Sequence, residues 1–193
     1  MSERRNIRVG ITQGDTNGVG YEIIFKTFDN PEMFEICTPI VYGSPKAAAY
    51  HRKALEMETP YNAIAHAGEA QAGKLNIINC NSDDLHIELG NSTHEAGLAA
   101  YQALEAAVKD YQEGNIDVLV TAPINKSTIQ NESFNFPGHT EYLQERLADE
   151  GEKAIMIMLN DTLRVALVTG HMPISQVASS LTQELIVEKL QIF

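Results

Sequence analysis

Short apolar runs alternate along this chain with longer segments whose apolar residues recur at helical spacing. Residues 7–12 are typical of a buried strand, a glycine-rich turn follows, and residues 19–28 carry apolar side chains at helical spacing. A second strand at residues 36–42 precedes a helix for which Ser44 and Pro45 are the predicted N-cap and first helical residue. This strand–helix alternation predicts an α/β fold.

The longest helix is predicted in the middle of the chain. Ser92 followed by Glu95 forms a capping-box pattern, and small and apolar side chains then repeat along one helical face over residues 93–112. Gly114 ends this helix before an apolar strand at residues 117–121. The small side chains predict close packing of the helix against a sheet or another helix.

Two later apolar runs, residues 154–159 and 163–169, are joined by Asn160 and Asp161 and predict an antiparallel hairpin. Between residues 61 and 90 there are short strand-like pieces whose order the pattern does not define. We therefore predict a mixed sheet flanked by helices.

Composition excludes several classes of protein. The 14 basic and 26 acidic residues give a net charge of −12, which repels phosphate backbones, so nucleic acid is not an expected partner. Cys37 and Cys80 lack the spacing of a disulfide framework or a thiolate zinc site, which fits a reducing compartment. No apolar run is long enough to span a membrane, so we expect a cytoplasmic protein with no membrane partner.

The glycine-rich loop after the first strand is a candidate ligand site, because open α/β sheets bind ligands beyond the carboxyl ends of their strands. Its sequence over residues 12–20 is TQGDTNGVG, and its backbone amides could face an anion at a helix N-terminus. The loop lacks both the GxGxxG order and the Lys-Ser/Thr ending of a P-loop. A plain glycine turn is an equally good interpretation.

Three further residues are candidates from their positions. Lys126 follows the strand at residues 117–121 and is predicted to begin a helix near the ligand crevice, with a plain surface lysine as the alternative. His139 and Thr140 follow a Pro-Gly turn at the start of a helix predicted to reach Leu147. Two neutral donors at a helix N-terminus suit a phosphate or carboxylate, whereas the alternative is that one of them caps the helix.

His171 follows the last apolar run and precedes Pro173 in a loop. An imidazole in such a loop is a good metal ligand or acid–base group, although a structural role is the alternative. The other histidines show no metal-binding spacing and receive no predicted role: His51, His66, His86 and His94.

Four segments of the chain occur in the order found in one enzyme family: ITQGDTNGVGYEII, VLVTAPINKSTI, FPGHTEYLQERL and RVALVTGHMPI. Over residues 7 to about 174 the chain thus resembles the 4-hydroxythreonine-4-phosphate dehydrogenase family of vitamin B6 biosynthesis. The resemblance implies an isocitrate/isopropylmalate-dehydrogenase-like fold and a homodimer. It also implies oxidation by NAD or NADP, followed by decarboxylation, of the small phosphorylated hydroxy amino acid 4-phosphohydroxy-L-threonine. A divalent metal such as Zn, Mg or Co would assist.

The family motifs imply roles for particular residues. His139 and Thr140 match the substrate-binding pair, and His171 matches the first of three metal-binding histidines. Lys126 as a catalytic acid–base group rests on its position alone. No residue is assigned to the nucleotide, because much of that contact is expected in sequence that this chain does not contain.

Members of the family continue beyond the point where this sequence stops, at Phe193, after two short helices for which Ser175 and Thr182 are candidate caps. We therefore expect residues 1–193 to be the N-terminal portion of such an enzyme, with the C-terminal part missing. The isolated chain is then expected to be inactive.

Two alternatives stay open. A paralogous dehydrogenase for another phosphorylated hydroxy acid, such as threonate or erythronate 4-phosphate, or for a dihydrodiol, would carry the same motifs. A truncated, non-catalytic module that binds a phosphorylated ligand would keep the phosphate-facing loops without turnover. A panel of substrates separates the first alternative, and tests of metal binding and turnover separate the second.

Overall fold

The computed structural model describes residues 6–170 and 172–193, which form two compact units that divide the chain between Tyr142 and Leu143. The first unit contains a parallel sheet with helices packed on it. The second contains a small antiparallel sheet and further helices. The predicted α/β class is confirmed.

The sheet of the first unit has five strands. They are β1 (Ile7–Thr12), β2 (Cys37–Gly43), β3 (Tyr61–Ile64), β4 (Leu75–Asn79) and β5 (Val118–Thr121). They lie in the order β3-β4-β2-β1-β5, and every pair is parallel. Strand order therefore reverses at β1, which has β2 on one side and β5 on the other. Ligands bind at this kind of switch point, beyond the carboxyl ends of the two diverging strands.

Four helices accompany this sheet: α1 (Gly20–Phe28), α2 (Met33–Ile36), α3 (Pro45–Ala54) and α4 (His94–Gln112). The predicted start of α3 is confirmed, since Ser44 accepts a hydrogen bond from the amide of Ala47 and Pro45 is the first helical residue. Within the described part of the chain, no helix combines the length and apolar character needed to cross a bilayer.

The predicted bounds of helix α4, residues 93–112, agree closely with the structure, but the predicted N-cap does not. Thr93 is the N-cap, and its hydroxyl accepts from the amide of Ala96. The predicted capping box is wrong because both of its members have other partners. Ser92 accepts from the side chain of Asn125, and Glu95 accepts from the backbone amide of His86.

The small side chains of α4 allow the close packing that the sequence predicted. Its buried face carries Ala96, Ala100, Ala103 and Ala107, and the helix packs against β1, β2 and β5. At Gly97 a Cβ atom would lie 1.9 Å from the carbonyl oxygen of Thr128. The helix can approach the segment after β5 only because a glycine stands there.

The second unit holds the predicted hairpin. Strands β6 (Ile157–Leu159) and β7 (Arg164–Ala166) are antiparallel. They form a sheet of their own. The structure therefore has one parallel and one antiparallel sheet in place of the single mixed sheet that the sequence predicted.

Three more α-helices occur among the described residues. Helix α5 (His139–Leu147) crosses the boundary between the units, and α6 (Ile174–Ser180) and α7 (Gln183–Ile192) follow. Thr182 caps α7 as predicted by accepting from the amide of Leu185. Ser175 is not a cap, because Pro173 already occupies the N-cap position and places Ser175 inside α6.

Candidate functional site

The loops that follow β1 and β5 are hydrogen-bonded to each other at the carboxyl edge of the sheet. The amide of Asp15 donates to the carbonyl of Pro123 at 2.9 Å, and the amide of Ala122 donates to the carbonyl of Thr12 at 3.2 Å. Gly14 has a φ of +70°, and a Cβ atom there would lie 2.3 Å from the Pro123 oxygen. Only glycine suits this contact between the loops.

Gln13 fixes the first loop from inside the protein. Its fully buried side chain accepts hydrogen bonds from the Tyr21 hydroxyl and the Ser44 amide, each at 2.8 Å. It donates to the Asn81 side chain at 2.6 Å and to the Ala99 carbonyl at 3.3 Å. Burial raises the pKa of Tyr21, so its hydroxyl keeps the proton that it donates.

Several amides of the glycine-rich loop donate hydrogen bonds within the protein. Those of Asp15 and Gly18 donate to backbone carbonyls, and that of Asn17 donates to the Asp15 carboxylate at 2.8 Å. The ring of His51, which is buried, lies 2.7 Å from the Thr16 carbonyl oxygen. These bonds hold the loop in a fixed conformation and leave both interpretations of it open, a structural turn and an anion site.

A series of hydrogen bonds joins this loop to the segment after β5. The side chain of Asn17 donates to the hydroxyl of Thr93 at 3.0 Å, and the neighbouring Ser92 accepts from the side chain of Asn125 at 2.8 Å. Asn125 directly precedes Lys126. These bonds connect the loop after β1 and the segment after β5 through residues 92 and 93, and so fix their relative positions at the switch point of the sheet.

Lys126 does not begin a helix, so that prediction is wrong. The side chain of Asn125 accepts from the backbone amide and the hydroxyl of Ser127, at 3.0 and 2.7 Å. The segment makes one helical turn, closed by the Ile129 amide on the Asn125 carbonyl at 3.1 Å. A side chain that competes for the first free amides favours such an isolated turn over a helix.

The start of α5 lies beside Lys126. A Cβ atom on Gly138 would lie 3.9 Å from the Lys126 Nζ atom, so the ammonium group is next to this turn. The Tyr142 amide donates to the Gly138 carbonyl, which makes Gly138 the N-cap residue. His139 and Thr140 are therefore the first two helical residues and neither is the cap. The structure brings three of the four predicted site residues together.

His139 is half-buried, and its Nε2 atom is fully buried without a hydrogen-bond partner among the described residues. Its pKa is lowered, first by burial and second by the positive charge of Lys126. The imidazole is therefore held in its neutral form, which can donate one hydrogen bond and accept another. Thr140 is exposed at the same helix end.

An aromatic cluster that the sequence analysis missed holds this helix end in place. Tyr142 packs on Phe134 and Phe136, with ring centroids 5.2 and 5.4 Å apart. Its hydroxyl donates to Glu105 of α4 at 2.5 Å. The close spacing of Phe134, Phe136 and Tyr142 in the sequence is the signal that could have indicated it.

The described residues do not form a metal site by themselves. No three His, Cys, Asp or Glu side chains among them lie close enough together to hold a metal ion. The predicted ligand, His171, lies outside the described residues.

Comparison with known proteins gives a consistent result. The family profile described as pyridoxal phosphate biosynthetic protein PdxA matches residues 35–193. The chain is 56% identical over 191 residues to a 4-hydroxythreonine-4-phosphate dehydrogenase of Bacteroides thetaiotaomicron, covering 99% of this chain and 52% of that protein. It is 33% identical to the protein of the same name from a Sulfurihydrogenibium species, covering 96% of this chain and 56% of the other.

A crystal structure of a 4-hydroxythreonine-4-phosphate dehydrogenase from Burkholderia phymatum has the same fold. It superposes with a TM-score of 0.85 at 30% identity, over 97% of this chain and 57% of that one. The chain thus spans about half the length of the curated relatives it matches.

Proposed function

Because this chain belongs to the family described as pyridoxal phosphate biosynthetic protein PdxA, we propose that it supplies the substrate-facing part of an NAD(P)-dependent 4-hydroxythreonine-4-phosphate dehydrogenase. The proposed reaction oxidises 4-phosphohydroxy-L-threonine, with decarboxylation, in the biosynthesis of pyridoxal phosphate. The observation that carries the proposal is the convergence of Lys126, His139 and Thr140 at the start of α5, beside the switch point of the sheet.

The three side chains would bind an anionic group of the substrate in complementary ways. Lys126 supplies a local positive charge in a chain whose net charge is −12. The exposed hydroxyl of Thr140 donates a hydrogen bond, and the free amides of the first helical turn add partial positive charge. Burial first and Lys126 second keep His139 neutral, so its ring would lie beside the bound anion as a hydrogen-bonding group that adds no charge of its own.

The family resemblance is the only support for the nicotinamide nucleotide and the divalent metal. The described residues lack a complete ligand set for a metal. We propose NAD or NADP and a divalent ion (Zn, Mg or Co), with His171 as one ligand. A homodimer and a cytoplasmic location are proposed on the same basis.

A chimeric enzyme tests this function. In it, the present chain replaces the matching part of the 56%-identical relative, and formation of reduced nicotinamide is followed with several substrates. We expect 4-phosphohydroxy-L-threonine to give the highest kcat/KM, and the unmodified relative is the control.

Two results would reject the proposal. A higher kcat/KM with threonate or erythronate 4-phosphate would assign the chain to a paralogous dehydrogenase. Binding of phosphorylated ligands without turnover of any of them, in a folded chimera that binds metal, would indicate a non-catalytic module.

A further inference from the structure

The side-chain amide of Gln130 connects the two segments that carry the candidate site, the turn at residues 125–129 and the start of α5. Its Nε2 atom donates to the carbonyl of Phe136 at 2.8 Å and to the carbonyl of Lys126 at 3.3 Å. The side chain is half-buried. A glutamine amide has two hydrogens, so each carbonyl receives one of them. One neutral group thus bonds to Lys126 and to the residue that precedes the Pro-Gly turn of α5.

The carbonyl of Phe136 is a stiff point from which to place the start of α5. Pro137 follows it, and a proline fixes its own φ and restricts the conformation of the residue before it. Gly138 is then the N-cap residue and His139 the first helical residue. A hydrogen bond to the Phe136 carbonyl therefore restricts where the helix begins.

Electrostatic repulsion opposes the arrangement that Gln130 connects. The Nζ atom of Lys126 lies beside Gly138, at the N-terminus of α5. A helix N-terminus carries partial positive charge, so the ammonium group and the helix end repel each other until an anion binds between them. A neutral amide that bonds to a carbonyl on each side can hold the two together without adding a further charge.

We propose that Gln130 is a positioning residue, which sets the separation between Lys126 and the pair His139 and Thr140 and so prepares the site for the anionic group of the substrate. The identity of the ligand rests on the proposed function, whereas the positioning is a property of the chain without substrate. Groups that are already in place spare the substrate the cost of ordering them.

Asn131 is a neighbouring amide side chain with a different set of partners. Its Oδ1 atom accepts from the amides of Ser133 and Phe134 at 2.7 and 3.0 Å, and its Nδ2 atom donates to the carbonyl of Ile129 at 3.0 Å. These partners are local, so the bonds stabilise the loop without joining the two segments of the site. Asn131 is half-buried like Gln130, and it is therefore the matched control.

NMR titration of the histidine rings in the 193-residue chain tests the positioning. In the parent, burial first and the charge of Lys126 second lower the pKa of His139 below its ordinary value of 6.5. Gln130→Met removes both donors, so the turn and the helix end should move apart and the pKa of His139 should rise toward 6.5. Asn131→Ala should lower the melting temperature and leave this pKa unchanged. His139→Gln identifies the resonance.

Two further measurements accompany the titration. Gln130→Asn keeps the amide but is one methylene group shorter and cannot reach both carbonyls, so it should raise the pKa of His139 as well. Circular dichroism checks that each variant folds. In the chimeric enzyme, Gln130→Met should raise KM for 4-phosphohydroxy-L-threonine by about tenfold and leave kcat within about twofold, because substrate and transition state lose the same binding interaction.

Three results would overturn the proposal. They are an unchanged pKa of His139 in both Gln130 variants, an equal rise of that pKa in Asn131→Ala, and an unchanged KM in a chimera whose parent turns the substrate over. A parent chimera without turnover would reject the proposed function instead. The titration is made without substrate, so it would still decide whether Gln130 sets the position of His139.

Discussion

The unpaired nitrogen of His139 is uncommon for a buried polar atom, because leaving such a group without a partner costs about 1–3 kcal/mol. Burial, and second the charge of Lys126, lower the pKa of His139 and keep the imidazole neutral, so that the lysine supplies charge and the histidine can supply hydrogen bonding. An anionic substrate with further polar groups requires both a positive charge and hydrogen-bonding groups.

Replacing Thr140 with Val in the chimeric enzyme should lower kcat/KM by roughly tenfold to a hundredfold, since a hydrogen bond to a charged group contributes about 1.5–3 kcal/mol. The melting temperature should stay near that of the parent, because Gly138 and not Thr140 is the N-cap residue of α5. Steady-state kinetics and thermal melting on the same preparation decide the matter. A lower melting temperature with unchanged kcat/KM would contradict the substrate role.

His139 should also make stability depend on pH. Its pKa in the folded protein lies below the ordinary value of 6.5, so above that value both the folded and the unfolded states hold it neutral. As pH falls the unfolded state binds the proton first, and the stability that the neutral imidazole contributes is lost as pH falls through the folded pKa. His139→Gln should therefore flatten the decline of melting temperature on the acid side of neutrality. Equal slopes for parent and variant would refute this.

Local patterns could select Lys126, His139 and Thr140 as candidates, because each follows a strand end or a Pro-Gly turn. They could not identify Gln13 as the anchor of the glycine loop. The partners of Gln13 stand up to 86 positions away in the sequence, and nothing near residue 13 indicates them. The same holds for Asn17, which bonds to Thr93 across 76 positions.

Among the helices, α4 is the one that contacts both parts of the candidate site, the segment after β5 and the start of α5. Its Gly97 allows the segment after β5 to lie against the helix, and that segment carries Lys126. Helix α4 also receives the hydrogen bond of Tyr142 from α5 through Glu105. Any displacement of the 125–129 turn from α4 should therefore change the position of Lys126 relative to α5.

Gly97→Ala should destabilise the protein although alanine is the better helix former by about 1 kcal/mol. The added methyl group would lie 1.9 Å from the Thr128 oxygen, which the backbone cannot accommodate without moving. Gly18→Ala is the control, because there the new atom meets its neighbours at 3.4 Å or more. We expect a melting temperature clearly lower for Gly97→Ala than for Gly18→Ala, and the reverse order would show that the contact is not restrictive.

Element types were predictable wherever periodicity was strong, as in α4 and the hairpin. Errors arose where side chains compete with the backbone. Asn125 turns a predicted helix into a single turn, and Thr93 replaces the expected Ser92 cap because Ser92 is bonded to Asn125. The choice between neighbouring hydroxyl residues depends on tertiary partners, so sequence spacing alone could not make it.

For the molecule as a whole, the alternation of strands and helices predicted the α/β class but not the strand order. Which strand neighbours which depends on contacts between distant segments, and β5 returning to the side of β1 is not visible in any local pattern. The exposure of β5 was likewise unpredictable, because an apolar strand sequence does not reveal whether its face is covered.

The isolated 193-residue chain should show no measurable dehydrogenase turnover with NAD or NADP and a divalent metal. The described residues hold no complete ligand set for a metal. The chimeric enzyme, assayed beside it at equal concentration, is the positive control. Activity of the isolated chain would show that these residues suffice.

The buried amide of Gln13 has a consequence for folding kinetics. Its four partners stand 8, 31, 68 and 86 positions away, so they assemble only when most of the sheet is in place. Interactions that form after the transition state slow unfolding and leave the folding rate nearly unchanged. Gln13→Met should therefore raise the unfolding rate measured by stopped flow, while the refolding rate stays close to that of the parent. Slower refolding with unaltered unfolding would instead place the closure of this network at the start of folding.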